Sequence, residues 1–271
     1  MSKVTLHLLL FTILCSPVLS FSQGPIDGFY RGKGNLTSVL GFGYEDNQNY
    51  LIGKEESDLS RTLVYANLYS AYGLNKDLDV QVSIPYMASD DNQNFQDISL
   101  FIKYRFLEFQ PDKAKLDLSF GLGFSTPLSN YEIGGLNDIG QQATVLETRI
   151  MLHYQLENGW FGTAISGYSF KFEEVPNSFP LVIKVGKAAG KWYYDVFYDF
   201  QNAFDGIDYR GTPIPQNFRE FEVDYHKIGT TVYRNISGGF GAYLNYSNVF
   251  GGRNVFQGSR YSLGLVWDFR K

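Results

Sequence analysis

Apolar and polar residues alternate with a period of two through most of the chain after residue 33. The run 116–124, LDLSFGLGF, places Leu and Phe on one face and Asp, Ser and Gly on the other. The runs 97–106 and 194–200 follow the same rule. Successive side chains of a strand point to opposite faces, so each run predicts a β-strand with one apolar and one polar face.

About twelve such segments occur, each near twelve residues long, and they are joined by connections of alternating length. The predicted strands span 34–47, 60–73, 78–88, 96–107, 115–127, 142–156, 160–172, 179–187, 191–203, 220–234, 236–249 and 258–269. One short connection is expected near Arg234–Asn235. An even number of long strands with short and long loops predicts an all-β, antiparallel transmembrane β-barrel over residues 34–271. Closure would pair every backbone group that faces lipid.

The last strand carries the most specific pattern. Tyr261, Leu263, Leu265, Trp267 and Phe269 share one face of the segment 258–269. A terminal strand of alternating aromatic and apolar residues that ends in Phe resembles the signature of bacterial outer-membrane barrels. We therefore expect outer-membrane lipid around the barrel and recognition of this strand by the barrel-assembly machinery. A soluble β-sandwich or a lipocalin-type barrel would also alternate, with the apolar face turned inward.

The N-terminal residues predict export. Residues 1–22 combine Lys3, a short apolar core at 6–14 and small residues at Ser20 and Ser22, which is the layout of a cleaved signal peptide. Its removal would take away Cys15, the single cysteine of the chain, and with it disulfide chemistry. The following segment, 23–33, is expected to be either a periplasmic leader or a plug that enters the lumen.

Composition excludes two classes of protein. The chain of 271 residues is 44% hydrophobic and carries a formal net charge of −5. Disordered chains are poor in apolar residues, and nucleic-acid-binding domains are basic, so neither class fits. Aromatic residues make up 17% of the chain, and 28 residues are Gly. The glycine clusters at 41–43 and 238–241 are expected to leave room in the lumen rather than to bind phosphate, because no Lys-Ser/Thr follows them.

Charged residues collect on the polar faces, which would line the lumen of a barrel. There they could stabilise the wall through cross-strand pairs or form a selective constriction. The candidates are Asp97, Lys103, Arg105, Asp117, Glu147, Arg149, His153, Lys184, Asp195 and Asp199. We expect no cofactor and no metal site, since His153 and His226 are the two histidines that follow the predicted signal peptide.

The region 69–107 contains the motifs Tyr72-Gly73-Leu74, Ile84-Pro85-Tyr86, Asp97 and Lys103-Tyr104-Arg105-Phe106. With these motifs it resembles the outer-membrane barrel family typified by the MetA-pathway proteins of phenol degradation. The resemblance implies a barrel in the bacterial outer membrane that passes small molecules of aromatic or apolar character.

Three functions follow as hypotheses. The first is a channel or transporter for small solutes, and it accounts best for the signal peptide, the alternation and the terminal strand. The second is a closed barrel with a structural or adhesive role, which would use loops 128–141 and 204–219. The third, a lipid hydrolase with His153 as the base, needs an activated serine that no local motif provides.

Overall fold

The structure is a computed structural model that describes residues 26–90, 92–135, 137–212, 214 and 218–271. The predicted signal peptide at 1–22 lies outside these residues. The strands are β1 Leu36–Ile52, β2 Glu55–Ser57, β3 Arg61–Gly73, β4 Leu78–Ala88, β5 Gln93–Phe95, β6 Asp97–Phe109, β7 Ala114–Pro127, β8 Val145–Leu156, β9 Trp160–Lys171, β10 Ser178–Ala189, β11 Trp192–Ala203, β12 Asp224–Ser237, β13 Phe240–Arg253 and β14 Phe256–Phe269. No helix within the described ranges has the length and apolar character needed to cross a membrane.

Twelve long strands close into an antiparallel barrel, as the sequence predicts. Each long strand pairs with its neighbours in chain order, and β14 returns to β1 with Leu36 opposite Phe269 and Tyr44 opposite Tyr261. The two three-residue strands, β2 and β5, extend the hairpins of β1 and β4 beyond the wall. A closed barrel has no edge strand, so its backbone groups are paired within the protein.

The apolar faces point outward, which contradicts the alternative of a soluble β-sandwich or lipocalin-type barrel. On β7, Phe120, Leu122 and Phe124 are exposed, whereas Asp117 and Ser119 are buried inside. Exposed aromatic residues lie near strand ends, as the girdles of membrane barrels require. They include Tyr72, Tyr86, Phe106, Trp160 and Phe269.

The connections are short at the end of the barrel where β1 begins and β14 ends. At the opposite end they are longer, except for the two-residue turn 254–255 between β13 and β14. In outer-membrane barrels the short turns face the periplasm. The turn between β12 and β13 is at Gly238–Gly239, and the prediction of a turn near Arg234–Asn235 is wrong. Both glycines have positive φ, 55° and 83°, which residues with a side chain rarely adopt. These two glycines therefore serve the turn, and Gly241 alone of that cluster faces the lumen, against the Tyr233 ring.

Candidate functional site

Residues 26–33, named here the lumen segment, lie inside the barrel before β1 begins. Ile26, Asp27, Phe29 and Arg31 are all buried. The lumen segment makes polar contacts with β6 on one side of the lumen. On another side, the ring of Phe29 contacts aromatic rings on β9 and β11. Gly34, the next residue, donates its backbone N–H to the carbonyl of Gly73, the last residue of β3. The segment therefore occupies the periplasmic part of the lumen.

Buried charges hold the lumen segment to the wall. Asp27 pairs with Arg31 at 2.6 Å within the segment, and Lys103 Nζ on β6 lies 3.4 Å from the Asp27 carboxylate. Lys103 also donates to the backbone carbonyls of Asp27 at 2.9 Å and Phe29 at 2.7 Å. Asp79 on β4 completes the cluster, 3.5 Å from Lys103 Nζ, and accepts the Arg31 backbone N–H. Each buried charge thus has a counter-charge, as burial in a protein requires.

Phe29 packs into an aromatic cluster on the other side. Its ring centroid lies 4.8 Å from that of His153, 5.2 Å from that of Phe161 and 6.2 Å from that of Tyr193. The cluster continues through Tyr233, Tyr243 and Val266 toward the closing strand pair. Gly28 lies so close to His153 that a Cβ atom at this position would collide with the imidazole ring. The lumen segment therefore fits the wall by shape as well as by charge.

A second charged cluster lies at the periplasmic ends of β6 and β7. Arg105 binds Asp77 at 2.6 Å and Asp117 at 3.1 Å, and Lys115 lies 3.2 Å from Asp117. The ring of Tyr30, from the lumen segment, receives Lys103 Nζ at 4.2 Å and the Arg105 guanidinium at 4.7 Å from its centroid. These contacts join the two clusters through one aromatic ring.

The remaining candidates form separate pairs and single contacts along the lumen wall. Lys184 is 3.4 Å from Asp195, and His153 Nδ1 is 2.7 Å from the Thr163 hydroxyl. Toward the extracellular end, Glu147 contacts Arg149, Asp199 lies 2.6 Å from Lys227, and Asp97 accepts a hydrogen bond from Tyr131 at 2.6 Å. All ten predicted residues thus face the interior, but they do not converge on one constriction.

His153 and Ser166, the pair that a lipid hydrolase would need, bind other partners. His153 binds Thr163, whereas Ser166 on the neighbouring strand donates its hydroxyl to the Pro180 carbonyl at 2.9 Å. A serine nucleophile needs a histidine within hydrogen-bond reach. Within the described ranges, no group of three His, Cys, Asp or Glu is arranged to hold a metal ion.

Two cavities lie on the extracellular side of the lumen segment. The outer cavity has a volume of about 400 Å³, and the inner cavity has a volume of about 290 Å³. Tyr225 lines both, and Ile26 of the lumen segment lines the inner one. The lumen segment therefore forms part of the floor beneath the space that the strands enclose.

The two longest extracellular loops fold over the outer cavity. Arg219 donates from Nε to the carbonyl of Gln141 at 2.8 Å and from Nη2 to the carbonyl of Gln142 at 3.0 Å, so it links the loops 128–144 and 204–223. Arg61 donates to the Asp138 carbonyl at 2.7 Å. Burial raises the pKa of the Asp138 carboxyl, and burial together with the neighbouring Asp97 raises the pKa of the Tyr131 phenol.

The cavity walls are more positive than the protein as a whole. Their cations are Arg61, Arg149, Lys171, Lys184, Arg219, Lys227 and Arg260, and their carboxylates are Glu45, Asp138, Glu147 and Asp199. The chain itself has a net charge of −5. The two cavities of this acidic protein are thus lined by more cations than carboxylates, and such a surface favours anions.

Sequence reasoning left the segment 23–33 as either a leader or a plug and did not name Asp27, Phe29, Tyr30 or Arg31 as site residues. They belong to the stretch QGPIDGFYRGK, which has no period of two and therefore no sign of which face it presents. Its mixture of aromatic, charged and glycine residues was the available signal. The wall residues were found because alternation assigns each of them to a face.

Comparison with known proteins agrees with the architecture. The outer membrane channel from Pseudomonas putida F1 matches with a TM-score of 0.70 at 11% identity, over 92% of this chain and 100% of that one. NanC porin matches with a TM-score of 0.56 at 10% identity, over 85% and 98% of the two chains, and KdgM porin with 0.50 at 9% identity, over 85% and 99%. No curated protein gives a significant match.

These likenesses establish the fold of an outer-membrane barrel, and the apolar outer surface fits that location. A family model described as "Putative MetA-pathway of phenol degradation" matches residues 23–265, so most of the sequence contributes to the match. The resemblance read from residues 69–107 is confirmed. The chain belongs to this family of outer-membrane β-barrel proteins.

Proposed function

We propose that the protein is an outer-membrane channel for small molecules and that the lumen segment closes its periplasmic end. One observation carries the proposal: the buried residues Ile26, Asp27, Phe29 and Arg31 belong to a segment that precedes β1 and is not part of the barrel wall. Eight strands enclose a space that side chains can fill, and twelve enclose more. At the periplasmic end of the lumen, the additional space is filled by Asp27, Phe29 and Arg31. At the extracellular end, the two cavities remain.

Displacement of the lumen segment would leave the wall intact. The segment precedes β1, so none of its residues belongs to the strand pairings that close the barrel. It is held chiefly by the Lys103 cluster and by the packing of Phe29. Opening therefore needs the loss of these contacts but no break in the ladder of backbone hydrogen bonds, whose exposure to lipid would be far more costly.

The solutes would be small molecules, with aromatic or apolar ones among them. The family description refers to phenol degradation, and the inner cavity offers apolar surface from Ile165, Val182 and Phe197. Aromatic side chains at the outer cavity, Tyr50 and Phe256 among them, add flat surfaces on which a ring can stack.

Liposome swelling by the purified protein tests this proposal. Phe29→Ala should raise the rate of solute entry, because removing a buried phenyl group costs about 3–5 kcal/mol of packing free energy. Phe42→Ala is the matched control, since Phe42 is exposed on the outer face of β1. Equal swelling rates for Phe29→Ala, Phe42→Ala and the unaltered protein would count against closure by the lumen segment.

The adhesive alternative has less support. Loops 128–144 and 204–223 bury Tyr131, Ile139 and Phe221, although Leu128 and Ile214 remain exposed. The Arg219 guanidinium donates hydrogen bonds to backbone carbonyls of the neighbouring loop. An adhesive surface would instead present such groups outward, where a partner can reach them.

A further inference from the structure

The inner cavity contains a cation that has no ion-pair partner among the residues the structure describes. Lys171, the last residue of β9, lines this cavity, and its side chain is partly buried. Within the described ranges no carboxylate oxygen lies within salt-bridge distance of Lys171 Nζ. Among the described residues, the Lys171 ammonium group, with its three N–H donors, therefore has no carboxylate partner in the inner cavity.

The other charged residues of the inner cavity already have partners. Arg149 contacts Glu147 and also donates to the Ser169 hydroxyl at 3.2 Å. Lys184 lies 3.4 Å from Asp195. The remaining carboxylate of the wall, Asp199, is held by Lys227 at 2.6 Å. Among the described residues, Lys171 is thus the cation of the inner-cavity wall that has no carboxylate at ion-pair distance.

The rest of the inner cavity is largely apolar. Val145, Ile165, Pro180, Val182 and Phe197 line it, and Ile26 of the lumen segment contributes a further aliphatic side chain. The volume of about 290 Å³ is close to the lower end of the range for ligand pockets. An ammonium group in an apolar cavity is stabilised by a bound anion. Contact between the apolar cavity walls and an apolar part of the ligand is favourable because it removes both from water.

We propose that the inner cavity binds a small organic anion with an apolar or aromatic body, such as an aromatic carboxylate, with the anionic group on Lys171. The body packs against Val182 and Phe197, and Ile26 lies at the floor. The inference deepens the proposed function, because it names the class of solute that pauses in the lumen.

Binding is tested in detergent solution, apart from any transport, with benzoate as the probe and benzamide as its neutral analogue. Titration calorimetry should show saturable benzoate binding and benzamide binding that is weaker by about tenfold or more, since a charge-assisted hydrogen bond is lost. Lys171→Met should weaken benzoate binding to the level of benzamide, and Lys171→Arg should retain it. Lys54→Met is the matched control, because Lys54 is exposed in the turn between β1 and β2.

Heat-dependent migration in gels shows whether each variant is a folded barrel, so lost binding can be separated from lost folding. Absence of saturable benzoate binding, equal affinity for benzoate and benzamide, or full affinity in folded Lys171→Met would each overturn the site. These outcomes do not depend on conductance. A binding protein that fails to pass solutes would contradict the channel alone, and a channel without benzoate binding would contradict the site alone.

Discussion

Lys103 Nζ lies 2.9 Å from the backbone carbonyl oxygen of Asp27 and 3.4 Å from the carboxylate of the same residue. Lys103 belongs to β6 of the barrel wall, and Asp27 belongs to the lumen segment that precedes β1. Both side chains are buried. This double contact joins the wall to the lumen segment, so it is the first place to weaken the closure that we propose.

Lys103→Met should loosen the lumen segment and raise solute entry in liposome swelling. Removing one partner of a buried ion pair costs about 3–5 kcal/mol, because the other charge stays buried. Arg31 still pairs with Asp27, but Asp79 loses its ion pair with Lys103, so the cost should lie within that range. Lys115→Met is the control, since Lys115 pairs with Glu108 and Asp117 in the neighbouring cluster. Equal swelling by these two variants would argue against a specific role for Lys103.

Gly28→Ala should also open the barrel, for a steric reason. The added methyl group would collide with the His153 ring, and the ring is fixed between Thr163 and Phe29. His153→Ala in the same chain creates room, so the double variant should swell more slowly than Gly28→Ala alone. If the second substitution gives no recovery, the fit between Gly28 and His153 does not control closure.

Arg219→Ala should free the two long extracellular loops from each other. Its guanidinium donates to the carbonyls of Gln141 and Gln142, and each hydrogen bond from a charged group contributes about 1.5–3 kcal/mol. Limited proteolysis of the folded protein should then cut loop 128–144 faster. Arg210→Ala is a suitable control, because Arg210 is an exposed residue of the same loop as Arg219. Unchanged cleavage in Arg219→Ala would show that the loops are held by other contacts.

The open lumen should prefer anions. Cations outnumber carboxylates along the two cavities, and unequal wall charge raises the local concentration of the opposite ion. In a KCl gradient, a protein without the lumen segment should therefore give a reversal potential that is shifted toward the equilibrium potential of chloride. Lys171→Met in that background should move the potential toward zero, whereas a preference for potassium would contradict this account of the wall.

Alternation predicted the wall closely because each strand contributes its own local evidence. The strand expected at 78–88 is β4 Leu78–Ala88, and the one expected at 160–172 is β9 Trp160–Lys171. A one-residue error in register would turn every lipid-facing side chain inward, so the pattern is strongly constrained. The turn of β12 and β13 was misplaced because alternation continues past Arg234, and the glycine requirement for positive φ decides the position instead.

The lumen segment was left between two alternatives because its place depends on contacts distant in sequence. Nothing near Asp27 in the chain indicates that Lys103, on β6, is its partner. The packing of Phe29 against Phe161 and Tyr193 is equally remote. Charged wall residues could be assigned to the lumen one by one, but their division into separate pairs required the register of twelve strands.

Planar-bilayer conductance of a chain that lacks residues 26–33 tests the central claim most directly. The deletion removes Asp27, Phe29 and Arg31 but leaves all strand pairings of the wall available. We predict that the shortened protein conducts steadily, while the full-length protein conducts only in rare openings under the same salt and voltage. Equal conductance of the two folded proteins would contradict closure of the barrel by the lumen segment.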